Sequence, residues 1–230
     1  VALVGTTGSG KSELAMEAAI RRGDVEIVSV DSMCVYRRMD LATAKPTAAA
    51  RSAVPHHLID VVDVWEEFTV SQFKRFAAEA IGGIEGRGHR AFLVGGTGLY
   101  LRAVVDDLQL PGRWPEIAAR LEEEADAPGG LPALYERLAL VDPQAAARIT
   151  PTNRRRIVRA LEVVAGSGRP FSAFGPGLES YPPTRVVLLG VPFDPPLVDR
   201  RIGERFQRWL AEGLVDEVRA LAALPEGLSR

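Results

Sequence analysis

The segment Gly5-Thr-Thr-Gly-Ser-Gly-Lys-Ser12 matches G-x-x-x-x-G-K-[ST] at every fixed position, and it constrains the fold more than any other stretch of the chain. Val1-Ala-Leu-Val4 before it is a buried-strand run, and Lys11 to Arg22 after it has helical spacing, with Leu14, Ala15, Ala18 and Ala19 on one face. A strand, a glycine loop and a helix in that order form a phosphate-binding loop. The glycines let consecutive backbone N–H groups curl around phosphate oxygens. The loop residues Gly5, Thr6, Thr7, Gly8, Ser9, Gly10, Lys11 and Ser12 are therefore candidates for gripping a phosphate, with Lys11 adding a positive charge and Ser12 holding Mg²⁺. Which phosphates are gripped is not encoded in the loop, since kinases, NTPases and transferases all use it.

The first hundred residues continue to alternate. Val25 to Val30 reads as a second strand, Val70 to Ile84 as a helix ended by Gly82-Gly83 or by Gly86 and Gly88, and Ala91 to Val94 as a third strand stopping at Gly95-Gly96. This alternation predicts an α/β fold with a mainly parallel sheet covered on both faces. Character changes near Pro111. From Trp114 to about Gly166 the pattern is all helical, broken at Pro128-Gly-Gly130 and Asp142-Pro143; a Gly/Pro-rich linker then leads to an apolar strand from Arg185 to Val191. Pro196 to Leu224 is helical again, with a break at Glu212-Gly213-Leu214. The expected organisation is a P-loop-containing parallel-sheet core in two parts, 1–110 and 181–230, with an all-helical domain inserted over 111–180. Val1 already lies in a strand with no methionine before it, so further residues are expected at both ends.

A formal net charge of −2 means that any nucleic-acid contact must come from a local basic stripe. Cys34 is the one cysteine, so no internal disulfide is possible, and with three histidines it cannot furnish a zinc cage without several carboxylates. The apolar runs are strand-sized, and neither a membrane span nor a signal segment is legible. A reducing cytoplasm is the expected compartment, and a monomer suffices for one active site.

Two further features carry chemistry. Asp31 sits at the C-terminal end of the second strand, where ligands of open α/β sheets gather; position alone allows a Mg²⁺-orienting carboxylate, a proton acceptor or an ordinary helix cap. In Arg154-Arg-Arg-Ile-Val-Arg159, helical spacing puts Arg155, Arg156 and Arg159 within about a third of the circumference, opposite Ile157, Val158, Leu161 and Val164. Such a helix packs on one face and presents guanidinium groups to phosphate on the other. His56-His57 is not a metal site by spacing, because adjacent side chains diverge, and His89 reads as a surface residue.

Taken together, Asp31-Ser-Met-Cys-Val-Tyr36, Arg38-Met-Asp40, Thr43-Ala-Lys-Pro46, Pro55-His-His-Leu-Ile-Asp60, Gly95-Gly-Thr-Gly-Leu-Tyr100, Arg156-Ile-Val-Arg-Ala-Leu-Glu162 and Gly213-Leu-Val-Asp-Glu-Val218 resemble the tRNA dimethylallyltransferase (isopentenylpyrophosphate transferase) family over essentially the whole chain. The resemblance implies a P-loop core whose helical insertion embraces the anticodon stem-loop. It implies transfer of a dimethylallyl group from dimethylallyl diphosphate to N6 of the adenosine 3′ to the anticodon in tRNA, with release of diphosphate and Mg²⁺ as cofactor.

In that family the aspartate matching Asp31 is the general base, and the resemblance assigns Lys11 and Thr97 with it to catalysis. Arg201 or Arg205 would add a clamp on the diphosphate. Asp31, Ser32, Met33, Cys34 and Thr97, with the run Arg155, Arg156, Ile157, Val158 and Arg159, would meet tRNA. A flipped adenine would enter a channel for which Tyr36, Met33 and Tyr100 are candidate linings, although core packing is the preferred reading for Met33. The sequence departs from the family pattern at Cys34 (glutamine is usual), Thr6 (proline), Ala42 (glycine) and Arg155 (glutamine), and Cys34 puts in doubt the hydrogen bonds made to RNA there. Two other functions share some of these features. A small-metabolite kinase would use the loop and the strand-end aspartate but not an arginine-faced insertion. A non-catalytic RNA-binding P-loop module would need no carboxylate at residue 31.

Overall fold

The computed structural model describes residues 1–175 and 182–229, so most of the Gly/Pro-rich linker lies outside the described residues. Contacts group the chain into two compact units, one of residues 1–107 with 183–230 and one of residues 108–182.

The first unit is built on a five-stranded, wholly parallel sheet in the order β3-β2-β4-β1-β5. Its strands are β1 (Ala2–Val4), β2 (Val25–Val30), β3 (His56–His57), β4 (Arg90–Gly95) and β5 (Leu188–Gly190). Helix α1 (Lys11–Arg22) opens at Gly10 (φ 90°) and closes at Gly23 (φ 73°), left-handed conformations that glycine adopts without a Cβ penalty. Its buried residues Ala15 and Ala19 pack with Leu3, Val25, Ile27 and Val94 against one sheet face, while Leu14 is exposed. On the other face lie α3 (Val70–Gly86) and α4 (Gly98–Val105), around Val28, Val30, Phe73, Ala77 and Ile84. A reciprocal capping box between Thr69 and Gln72 starts α3, which continues through Gly82-Gly83 and stops only at Gly86. The short α2 (Ala48–Ala53) precedes β3, and α9 (Pro195–Ala211) and α10 (Leu214–Ala222) follow β5, divided at Gly213 (φ 103°).

The second unit holds α5 (Pro115–Asp126), α6 (Gly130–Val141), α7 (Pro143–Arg148) and α8 (Arg154–Ser167), with a short 3₁₀ turn at Phe171–Phe174. Its own core joins Leu121, Leu134, Leu138, Ile149, Ile157 and Leu161. Asp142 is 2% exposed and organises one corner of this unit: its carboxylate caps α7 at Ala145 N and takes both the amide and the hydroxyl of Ser172. Among the described residues, no helix is long and apolar enough to cross a membrane.

Candidate active site

Parallel strands all deliver their C-terminal ends to one edge of the sheet, and that edge collects the loops after β1, β2 and β4. The phosphate loop leaves β1, Asp31 follows β2, and the glycine turn follows β4. Gly95 makes the close approach of the last two possible: a Cβ there would stand 1.9 Å from the Val30 carbonyl oxygen. Just beyond it, Thr97 Oγ1 accepts a hydrogen bond from Ser32 N at 3.2 Å.

Asp31 Oδ1 accepts from the amides of Met33 (2.8 Å) and Cys34 (3.2 Å), an Asx-type turn that fixes the carboxylate without using Oδ2. The local turn therefore takes up one carboxylate oxygen of Asp31.

A cavity of about 540 Å³ runs from the phosphate loop, at Thr7, Lys11 and Ser12, past Asp31. Its other lining is largely apolar. All three methionines of the chain (Met16, Met33 and Met39) and its one cysteine face it, together with Ile27, Ile59, Ile202, Phe206 and Trp209. Thioethers and aromatic rings make a polarisable, adaptable wall.

Lys11 lines this cavity, with its ammonium 3.3 Å from the Thr6 carbonyl. Burial draws its pKa below the ordinary lysine value and Arg205 adds to that, against the opposing pull of Asp31. Helix α9 closes over the loop: Arg201 Nη1 reaches the carbonyls of Gly8 (3.4 Å) and Ser9 (3.3 Å), and a Cβ on Gly8 would meet Ile202 Cγ1 at 3.1 Å. Arg205 lines the cavity and stacks over Trp209 at 4.9 Å. Ser9 Oγ is buried without a hydrogen-bond partner among the described residues, and Ser12 is exposed at the start of α1. Thus Thr7, Lys11, Ser12, Asp31, Met33, Cys34 and Arg205 share one cavity, while Gly5, Thr6, Gly8, Ser9, Gly10, Ser32, Thr97 and Arg201 belong to the loops and helix around it.

Several expectations need correction. Met33 is not core packing but 43% exposed and part of the cavity lining. Tyr36 and Tyr100 instead pack against the core, where the Tyr100 ring meets that of Phe73 of α3 at 4.5 Å between centroids in a tilted arrangement. Burial, then Tyr36 and Asp31, raise the phenol pKa of Tyr100. Cys34 is 6% exposed, donates to the Thr43 carbonyl, and has its pKa pushed up to about 12, first by burial and then by Asp31, so it is an inert thiol. His56 lines the cavity with Nδ1 on the Val54 carbonyl (2.7 Å), whereas His57 turns to Glu26 (2.6 Å). His89 keeps a surface-accessible side chain and also binds Glu26 (3.0 Å).

On α8, Ile157 and Val158 are 0% and 4% exposed in the helical core, so their side chains pack and are closed to RNA. Arg159 also turns inward. It donates to the carbonyls of Pro111 and Gly112 (2.9 Å each) and lies 2.8 Å from the Glu162 carboxylate as an ion pair. Arg154 is held by Glu122 and Asp126 of α5. Arg155 and Arg156 are exposed, with no acidic partner within 4 Å among the described residues.

Neither Phe206 nor Trp209 was anticipated as a cavity residue. The signal was present in α9, where Ile202, Phe206 and Trp209 recur at i, i+4 and i+7 beside the two arginines.

The family model described as IPP transferase matches residues 34–229. A tRNA dimethylallyltransferase of Streptomyces coelicolor is 49% identical over 97% of this chain and 70% of its own length, and one of Geobacter metallireducens is 50% identical over 96% and 72%. Among solved structures, the full-length tRNA isopentenylpyrophosphate transferase of Bacillus halodurans is 38% identical, with a TM-score of 0.61 over 96% of this chain and 68% of that one. A eukaryotic dimethylallyltransferase crystallised acting on tRNA gives a TM-score of 0.80 at 27% identity, over 96% of this chain and 55% of that one. The chain belongs to the IPP transferase family.

Proposed function

We infer that the chain transfers a dimethylallyl group from dimethylallyl diphosphate to N6 of the adenosine 3′ to the anticodon in tRNA, releasing diphosphate. The observation that carries this reading is the single cavity in which a phosphate loop, the Asp31 carboxylate and a sulfur- and aromatic-lined apolar wall meet.

The exocyclic nitrogen of adenine is a poor nucleophile because its lone pair is delocalised into the ring. Asp31, oriented through Oδ1 by two backbone amides, offers its other oxygen to that N–H. N6 forms a bond to C1 of the donor, the C1–O bond breaks with its electron pair leaving on the diphosphate, and the N6 proton passes to Asp31. Charge growing on the diphosphate faces the amides of residues 8–12, Lys11, and the guanidinium groups of Arg201 and Arg205. Thr97, whose oxygen is already engaged as an acceptor, retains its hydroxyl proton to donate to a substrate oxygen. The prenyl chain lies against the thioether and aromatic wall.

For Mg²⁺ the donor chemistry fits. Ser12 supplies an exposed hydroxyl to the cavity at the start of α1, and this ion takes few protein ligands besides phosphate oxygens and water. When bound it would neutralise part of the diphosphate charge. Arg155 and Arg156 provide the cationic contacts to RNA phosphates, and the adenine must leave its stack to reach a carboxylate in a cavity.

A small-metabolite kinase has no use for a helical insertion that presents Arg155 and Arg156. Incubation with unmodified tRNA, Mg²⁺ and dimethylallyl diphosphate, followed by nucleoside mass analysis, tests the choice. The expected product is a prenylated adenosine. Unmodified RNA together with ATP-dependent phosphorylation of a small acceptor would select the kinase.

A further inference from the structure

Helix α10 makes a contact that neither the phosphate loop nor Asp31 requires. One oxygen of Glu217, Oε2, accepts from two consecutive backbone amides, Asp40 (3.0 Å) and Leu41 (2.9 Å), across more than 170 residues of sequence. Two successive N–H groups converging on one carboxylate oxygen form an anion nest, and such charge-assisted bonds are the stronger kind. The bonded amides lie between Met39 and Ala42, and both of those residues line the cavity.

The far side of the same segment is anchored separately. Lys45, with a side chain only 2% exposed, donates to the Tyr36 carbonyl (2.5 Å), Asp40 (2.8 Å) and Asp60 (2.7 Å). Burial works against the charge on Asp60, but the hydrogen bonds from Lys45 and Arg51 outweigh it and hold its carboxyl below the usual range. Lys45 therefore fastens residues 36–45 to the sheet side, and Glu217 fastens them to the α9–α10 pair. Helix α9 contributes the opposing wall, Ile202, Phe206 and Trp209, and is itself tied to the phosphate loop through Arg201.

We propose that Glu217 is a positioning residue that fixes the spacing between the Met39–Ala42 segment and α9, and through it the length of prenyl chain the cavity admits. The chain-length part of this proposal rests on the prenyl-transfer reading. The carboxylate is remote from the chemistry and acts through the backbone it holds. Without it, the segment keeps its Lys45 anchor but loses its tie to the opposite wall, so the apolar end widens while the phosphate end stays intact.

The test compares Glu217→Ala and Glu217→Gln with the wild-type full chain, using dimethylallyl and geranyl diphosphate as alternative donors to unmodified tRNA, and hydrogen exchange over residues 36–46. Glutamine keeps an oxygen that can accept from both amides. Glu217→Ala should raise the geranyl-to-dimethylallyl ratio of kcat/KM by about tenfold, a discrimination typical of an apolar pocket, and Glu217→Gln should restore the wild-type ratio. The Asp40 and Leu41 amides should exchange faster by about tenfold in the alanine variant, as loss of a local hydrogen bond requires. Equal loss of activity with both donors, or unchanged exchange at those amides, would overturn the role of Glu217. A wild-type chain that alkylates no tRNA with either donor overturns the prenyl-transfer reading, and chain-length selection with it; exchange then still decides whether Glu217 holds the segment.

Discussion

The amide of Ser32 donates to the hydroxyl oxygen of Thr97 at 3.2 Å, joining the turn after β2 to the turn after β4 one residue beyond Asp31. Thr97 thus has a positioning duty alongside any contact with substrate. Thr97→Val removes the acceptor while keeping the shape, and leaves a partly buried amide unpaired at a cost of about 1–3 kcal/mol. Thr97→Ser keeps the acceptor. Turnover should fall by about a hundredfold to a thousandfold in the valine variant, the range of a single lost donor to developing charge, and stay near wild type in the serine variant. Steady-state kinetics on both variants check this.

The arginines of α8 divide into two kinds. Arg155→Ala and Arg156→Ala should each reduce the slope of log affinity for tRNA against log salt by about one, with the fold unchanged. Arg159→Ala removes the ion-pair partner of Glu162, which is 4% exposed, and takes support from the Pro111 and Gly112 carbonyls. It should cost about 1–3 kcal/mol of stability instead. Filter binding across a salt series, paired with urea denaturation, separates the two classes.

Much of this division was beyond the reach of sequence. Helical spacing puts Arg159 with Arg155 and Arg156, but the carbonyls that claim it are 47 and 48 residues upstream, and the acids that hold Arg154 are 28 and 32 residues upstream on another helix. The phosphate loop, α1, β2, α3 and the break at Gly213 were legible because each is set by local periodicity or by a glycine that ends an element. Strand β3 has only two residues and shows no alternation, and α4 starts inside a glycine cluster that reads as a turn. Met33 against Tyr36 and Tyr100 was a choice between apolar side chains that only the packing decides. That all three methionines converge on one cavity is likewise invisible along the chain, since they come from α1 and from the loop after β2.

Glycines of different surroundings should respond in opposite directions. Gly95→Ala forces a Cβ against the Val30 carbonyl where Asp31 leaves the sheet, and should destabilise the fold by about 1–3 kcal/mol or more as overpacking does. Gly82→Ala, with nothing within 4 Å in the middle of α3, should stabilise it by about 0.5–1 kcal/mol. Thermal melts of the two variants give the signs directly.

Glu26 lies 3% exposed between Arg87, His57 and His89 at the end of β2 remote from Asp31. Its hydrogen bond from Arg87 comes first and that from His57 assists; against the opposing effect of burial they bring its pKa down from 4.5 to about 2. A depressed carboxyl stabilises the folded state fully above the unfolded value, and that stability is lost as pH falls from about 4.5 toward 2. The difference in unfolding free energy between the wild type and Glu26→Gln should therefore shrink by on the order of 3 kcal/mol as pH falls across that window. Urea midpoints measured for both proteins over the pH series check it.

The most direct test of Asp31 is the single-turnover rate of Asp31→Asn with tRNA and dimethylallyl diphosphate both saturating. The amide oxygen can still accept from Met33 and Cys34, so the turn is kept while the proton acceptor is lost. The predicted result is a chemical step slowed by about 10²–10⁴-fold with tRNA and donor affinities unchanged. A variant that prenylates adenosine within a few-fold of the wild-type rate would contradict a proton-accepting carboxylate at this position.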